Sequence, residues 1–358
     1  VSSVFAEPNI PAGTIKIVAP FVAGGTADVL ARLVRTSFSS IVRESNDFAC
    51  VVTDAQGRSI AQASNSIPSF IGTAPRTIRH FLEQFPPETL EEGDVLITND
   101  VWLGTGHLPD ITVAKPIFRH GTLVAWAGSV AHAPDIGGRV RSADATSVCE
   151  EGLQIPPMKV LSAGRMDRTL ERILRQNVRV PDQVMGDLYA QFTALSLMER
   201  HTRGLMAEHG LESLEELSAQ LRGRTEAAMR RAIAEVPDGV YRAEATSDGI
   251  DQPIRLKMAL TVRGEEIDVD FAGSDPQVQK SINVCLAYTT AFTASASRRC
   301  CAPTCRTTTA RWRPSPSRLR RDRSSTRCRR RRAARGRSWA TSCRRWWSRR
   351  WRRWCRTR

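Results

Sequence analysis

Between Thr98 and Arg139 the chain reads TNDVWLGTGHLPDITVAKPIFRHGTLVAWAGSVAHAPDIGGR, and within it His107, Asp110 and His132 have the side-chain types and spacing to bind a cation. His107 and Asp110 lie on a loop with Gly106 and Pro109 just before an apolar run, and His132 ends the next such run. If the two runs pair as antiparallel strands, the three side chains meet at one end of the ladder. Two imidazoles and one carboxylate leave coordination positions for water or substrate, as a catalytic metal requires. Nitrogen and oxygen donors without a thiolate suit zinc, manganese or iron(II). Spacing alone leaves a plainer reading open, because His-x-x-Asp is common and a histidine near a strand end is more often hydrogen-bonded than ligating.

Other acids are candidates for supporting or catalytic roles. Asp135 can orient a ligating imidazole from behind or simply hold a turn, and Gly137-Gly138 lets the backbone approach a ligand closely. Glu151 is a second acid–base candidate. Asp187, in the Gly186-Asp187-Leu188 run, can reach the substrate region, although such an acid more often holds a neighbouring backbone. His80, His201 and His209 fall on expected helices and read as solvated or capping.

The elements that must position these residues follow from periodicity. Residues 49–62 form two β-prone runs around a turn, with Gly57 placed for positive φ. A helix is expected from about Pro75, with Ile78, Phe81, Leu82 and Phe85 on one face and Pro86-Pro87 as its stop. Strands are expected at 94–98, 111–118 and 122–131, the last two joined at His120-Gly121. The stretch 165–236 reads as helical: Pro181 opens a long helix that Gly210 closes, and Ser213-x-x-Glu216 is a capping box for the next. Leu214, Leu217, Leu221 and Ala228 line one side of it. After Pro237-Asp238-Gly239 the period returns to two, giving a hairpin around Arg263-Gly264 with Ile267, Val269 and Phe271 on one face. The expected class is α+β, with mixed or antiparallel sheets and a central helical block.

Composition divides the chain. From Arg298 to the end there are 24 of the 52 basic residues and a single acid, Asp322, so the preceding 297 residues hold 28 basic against 36 acidic side chains. The body is therefore acidic, although the whole chain carries a formal +15. The same terminal stretch holds six of the nine cysteines and six of the eight tryptophans. No apolar run approaches the roughly 18 residues that would suggest a membrane span. The start lacks a basic segment followed by an apolar one, and Cys50, Cys149 and Cys285 show no paired spacing. A cytoplasmic protein is the expectation.

Several segments, taken in order, resemble the B subunits of the hydantoinase/oxoprolinase family, whose relatives include the large subunits of acetone-type carboxylases. They are 35–62, GDVLITND at 93–100, GTGHLPDIT at 104–112, HAPDIGG at 132–138, EEGLQIPP at 150–157, GDLYAQ from Gly186, and DGIDQPIRL through DVDFAGSDPQVQ at 249–279. The resemblance implies that His107, Asp110 and His132 correspond to the family's metal ligands. Val101 departs from it, standing where the family usually carries proline. It also implies a partner A subunit that uses ATP to phosphorylate the carbonyl of a cyclic amide, with this chain needed for ring opening. A ketone carboxylase-type reaction is the alternative within the same scaffold.

The two ends read differently. IKIVAPFVAGGTADVLAR, at 15–32, resembles the first strand and helix of solute-binding proteins of tripartite tricarboxylate transporters, so residues 1–34 are expected to be foreign or a mispredicted start. From about Ser295 the text resembles coding sequence read out of frame, and 295–358 is expected to be a disordered tail on a truncated chain, inactive in this form. The regions expected between are a β-rich metal-site region at 35–164, helices at 165–236 and a β-hairpin region at 237–294. The rival functional class is a non-catalytic module: a solute binder from the front segment, or a nucleic-acid arm from the Arg- and Trp-rich tail. Each rests on about 60 residues or fewer, against most of the body for the enzyme.

Overall fold

A computed structural model describes residues 33–34, 36–63, 66–139 and 143–301. The expectations for 1–32 and for the tail beyond 301 lie outside the described residues.

A seven-stranded antiparallel sheet forms the centre, in the order β2-β1-β5-β4-β3-β6-β7. Its strands are β1 (Phe48–Asp54), β2 (Ser59–Gln62), β3 (Val95–Thr98), β4 (Asp110–Arg119), β5 (Thr122–His132), β6 (Met158–Ser162) and β7 (Arg165–Met166). Every residue of β1 is buried, because helices cover both faces of the sheet and alternate side chains enter different cores. Ala49 and Val51 pack with Phe70, Ile78 and Phe81 of a helix on one side. Phe48, Cys50 and Val52 join Leu188, Leu195 and Met198 of another helix on the opposite side.

After the single helical turn α1 (Ser40–Arg43), the helices are α2 (Pro68–Gln84), α3 (Arg168–Asn177), α4 (Pro181–Glu208), α5 (Glu215–Ala234) and α6 (Leu286–Cys301). A second, three-stranded sheet runs β10-β9-β8, from β8 (Gly239–Ser247), β9 (Ile254–Arg263) and β10 (Glu266–Asp270). Met258, Leu260, Val262 and Val269 form its small core with Ile233 and Val236 at the end of α5 and Ala296 of α6.

Much of the local chemistry stands where the sequence puts it. The β1–β2 hairpin turns through Gly57 at φ +72, and β4 meets β5 across His120 and Gly121 at φ +49 and +76. Two consecutive positive φ angles make this a hairpin turn whose twist matches its strands. The sheets are antiparallel throughout, and the class is α+β.

Other expectations are corrected. The helix expected from about Pro75 starts at Pro68, which takes the first-turn role. Pro75 lies buried in the helix interior, where its missing N–H removes one backbone bond; burial of Phe70, Ile71 and Ala74 on the same apolar face carries the helix through it. The helical stretch begins at Arg168 rather than 165, since Arg165–Met166 pairs with β6. Ser213 accepts a hydrogen bond from Glu215 N at 3.1 Å, one residue short of the position a capping box uses. The hairpin at 237–294 gains a third strand, β8. The boundary expected near Ser295 falls inside α6 (Leu286–Cys301), where Ser295 and Ser297 are buried, so the first residues of the expected disordered tail are helical.

Candidate metal centre

His107, Asp110 and His132 converge. Asp110 starts β4 and His132 ends β5, and the ladder sets them opposite each other. His107 belongs to the bend before β4, and Asp110 N donates to His107 O at 3.3 Å, closing that bend onto the strand. Asp110 Oδ1 lies 2.8 Å from His132 Nδ1 and 3.1 Å from His107 Nε2, and the two imidazole nitrogens are 3.3 Å apart. The rings stand 5.0 Å centroid to centroid at 31°. Asp110 and His132 are buried and His107 nearly so.

This donor set fits a divalent cation. Ligands about 2.0–2.2 Å from one ion stand roughly 3 Å from each other at tetrahedral or octahedral angles, and the three separations match. Two imidazole lone pairs and a carboxylate oxygen aimed at one point repel unless a cation or protons lie between them. Burial alone would raise the Asp110 carboxyl, but the charge and hydrogen bonds of His107 and His132 outweigh it and hold that carboxyl far below the usual carboxylate range.

The surrounding residues hold the ligands still. Thr105 Oγ1 donates to Asp110 Oδ2 at 2.6 Å, leaving Oδ1 for the imidazoles. Gly106 adopts φ +102 and is pressed against Cys285, so that a Cβ there would lie 3.0 Å from its Sγ. The left-handed backbone favours glycine, and the tight approach of Cys285 adds to the cost of any side chain there. Asn99 Nδ2 donates to Leu108 O and to Leu153 O, each at 2.9 Å, and its Oδ1 accepts from Ile155 N at 2.7 Å. That one amide ties the histidine bend to the 153–155 segment.

The two acids named as catalytic candidates occupy other positions. Glu151 Oε2 accepts from Leu108 N at 3.0 Å, so it holds the backbone just after His107. Asp135 accepts from Gly137 N at 3.1 Å and from the backbone N and Nε of Arg179, and pairs with Arg179 Nη2 at 2.8 Å. Arg179 also donates to Gly137 O and Gly138 O. The turn role of Asp135 is the one realised, and no imidazole is among these partners. Asp187 Oδ1 accepts from Phe38 N at 2.7 Å and Ser39 N at 3.1 Å, a backbone-holding role. The parts missed from sequence were Thr105 and Asn99, whose only signal was their place in GTGH and TND.

The hydantoinase B/oxoprolinase family model matches residues 14–347, a range that reaches past both expected limits, near residue 34 and near Ser295. The putative B subunit of a D-/L-hydantoinase from Pseudomonas sp. (strain NS671) is 34% identical over 273 residues, covering 72% of this chain and 46% of that protein. The crystal structure of ATP-dependent caprolactamase from Pseudomonas jessenii superposes with a TM-score of 0.70 at 28% identity, over 76% of this chain and 48% of the other. A nucleotide-free acetone carboxylase structure gives the same TM-score at 20% identity, over 81% and 40%, and shares the fold. The chain thus spans about half the length of the relatives it matches.

Proposed function

Because the chain belongs to the hydantoinase B/oxoprolinase family, we propose that it is the B-type subunit of an ATP-dependent hydrolase that opens a cyclic amide of the hydantoin or 5-oxoproline kind. The observation that carries the reading is the convergence of His107 Nε2, Asp110 Oδ1 and His132 Nδ1 on one point. These three residues would hold a divalent zinc, manganese or iron ion. Such an ion supplies Lewis acidity and a nucleophile at neutral pH, which an amide needs because its carbonyl is a poor electrophile.

The chain's own contribution is positioning. Thr105 fixes which Asp110 oxygen faces the imidazoles, and Asn99 and Glu151 both fix the backbone of Leu108, just after His107. The burial of His132 and Asp110 limits competing solvent. ATP enters through an A-type partner, in keeping with a hydantoinase relative that is itself named as one subunit of its enzyme. Among the described residues Cys50, Cys149 and Cys285 are free, in keeping with the reducing, cytoplasmic setting proposed for the chain. No helix among the described residues is long and apolar enough to cross a membrane.

The test is metal analysis of the purified chain, followed by assay with its A-type partner, ATP and a hydantoin or 5-oxoproline. Bound metal at near one equivalent, lost in His107→Ala, with ATP-dependent ring opening, supports the reading. An empty site and no ring opening would overturn it. Consumption of a ketone with bicarbonate in place of the lactam would move the chain to the carboxylase reaction.

A further inference from the structure

We propose that Arg76 is an anion-recognising residue beside the metal centre, reading a negative charge on the substrate: either a carboxylate on the cyclic amide or the phosphoryl group of its activated form. The inference rests on the hydrolase reading and adds to it a specificity determinant.

Arg76 is half-buried and, among the described residues, has neither a hydrogen-bond nor an ion-pair partner. Arg58, Lys115, Arg119 and Lys159 are also partly buried, yet each is paired with an acid. A guanidinium withdrawn from water without a counter-charge costs free energy, so a position that keeps one is a position where an anion is expected to arrive.

Its location is set by contacts on both sides. Gly72, one turn earlier on α2, is flush with α6, where a Cβ added to it would lie 2.4 Å from the Ala291 Cβ. Residues four apart share a helix face, which places Arg76 on the α6 side. Its charge reaches Cys285, just before α6, and offsets part of the burial that raises that thiol. Cys285 in turn abuts Gly106, next to His107. The following residue, Thr77, donates to Leu103 O at 2.8 Å, on the same bend. Arg76 therefore stands by the 103–106 bend that carries the proposed ligands, and an arginine fork suits carboxylate and phosphoryl oxygens alike.

Calorimetric titration of the full chain with 5-oxoproline, with 2-pyrrolidinone, which is the same ring without the carboxylate, and with inorganic phosphate tests this. Expected is binding of an anion that Arg76→Gln weakens about tenfold or more and Arg76→Lys partly keeps. Arg76-dependent binding of 5-oxoproline over 2-pyrrolidinone assigns the carboxylate, and Arg76-dependent binding of phosphate with no preference between the rings assigns the phosphoryl group. Unchanged anion affinity in Arg76→Gln, or no anion binding by the parent chain, overturns the inference. Arg76→Gln should keep its metal content and melting temperature, since it breaks no internal bond. Metal loss in His107→Ala is scored separately, so the hydrolase reading can stand when this inference fails.

Discussion

Asp110 and His132 are cross-strand partners at the end of the β4–β5 ladder, with Asp110 Oδ1 and His132 Nδ1 2.8 Å apart. Twenty-one residues intervene in the chain, yet one antiparallel register makes them neighbours. A slip of one residue would turn one of them to the other face of the sheet, so the register of this hairpin decides whether the proposed centre exists.

Removing the hydroxyl that orients Asp110 should weaken metal retention without unfolding the chain. Thr105→Val is expected to lower metal affinity about 10- to 100-fold, as loss of a group supporting a ligand commonly does. Competition with a chromogenic chelator measures it. Unchanged affinity would mean that Asp110 is held well enough by the two imidazoles alone.

Glu151 separates positioning from catalysis. Its carboxylate accepts from Leu108 N, and Glu151→Gln keeps an acceptor there, so folding and metal content should be nearly unchanged. Glu151→Ala leaves the buried N–H unpaired and should cost about 1–3 kcal/mol in urea unfolding. If Glu151→Gln instead abolishes ring opening while retaining metal, Glu151 is an acid–base group and not a backbone support.

Asp135 and Arg179 should behave as one unit. Each single change, Asp135→Asn or Arg179→Ala, loosens the Gly137-Gly138 turn, and the double change should be less destabilising than the sum of the singles. A double-mutant cycle in urea reads the coupling, and strict additivity would show that the ion pair contributes nothing.

Acid should weaken the chain partly through Asp94. Burial alone would raise its carboxyl, but hydrogen bonds from Lys159, Ala163 N and Glu91 N, with the Lys159 charge, hold it below its ordinary value. A depressed folded pKa means that this stabilisation is complete above the unfolded value of about 3.9 and is lost as pH falls through the folded one. Urea midpoints measured from pH 6 downward should drop below about pH 4, and Asp94→Asn should flatten part of that drop. A parallel fall in both proteins would assign the acid sensitivity elsewhere.

The candidate ligands, the β1–β2 and β4–β5 hairpins and the α4 helix were legible because they depend on local rules: turn glycines, capping residues, and apolar alternation over a few positions. Helix α2 was misplaced by seven residues because a first-turn proline and an interior proline look alike locally, and only burial of Phe70 and Ala74 against the sheet distinguishes them. Strand β8 was missed because its alternation is mostly polar and is stabilised by pairing with β9. The roles of Thr105, Asn99 and Glu151 were not legible either, and Asp135 was left between two readings, since a hydrogen bond depends on which backbone group is brought within about 3 Å. The sequence alone determined which side chains have the chemistry to bind a cation and which strands can carry them. Tertiary structure decided that they meet, through β-register, and that Asp135 holds the Gly137-Gly138 turn, because folding brings Arg179 to bond both that carboxylate and the two glycine carbonyls.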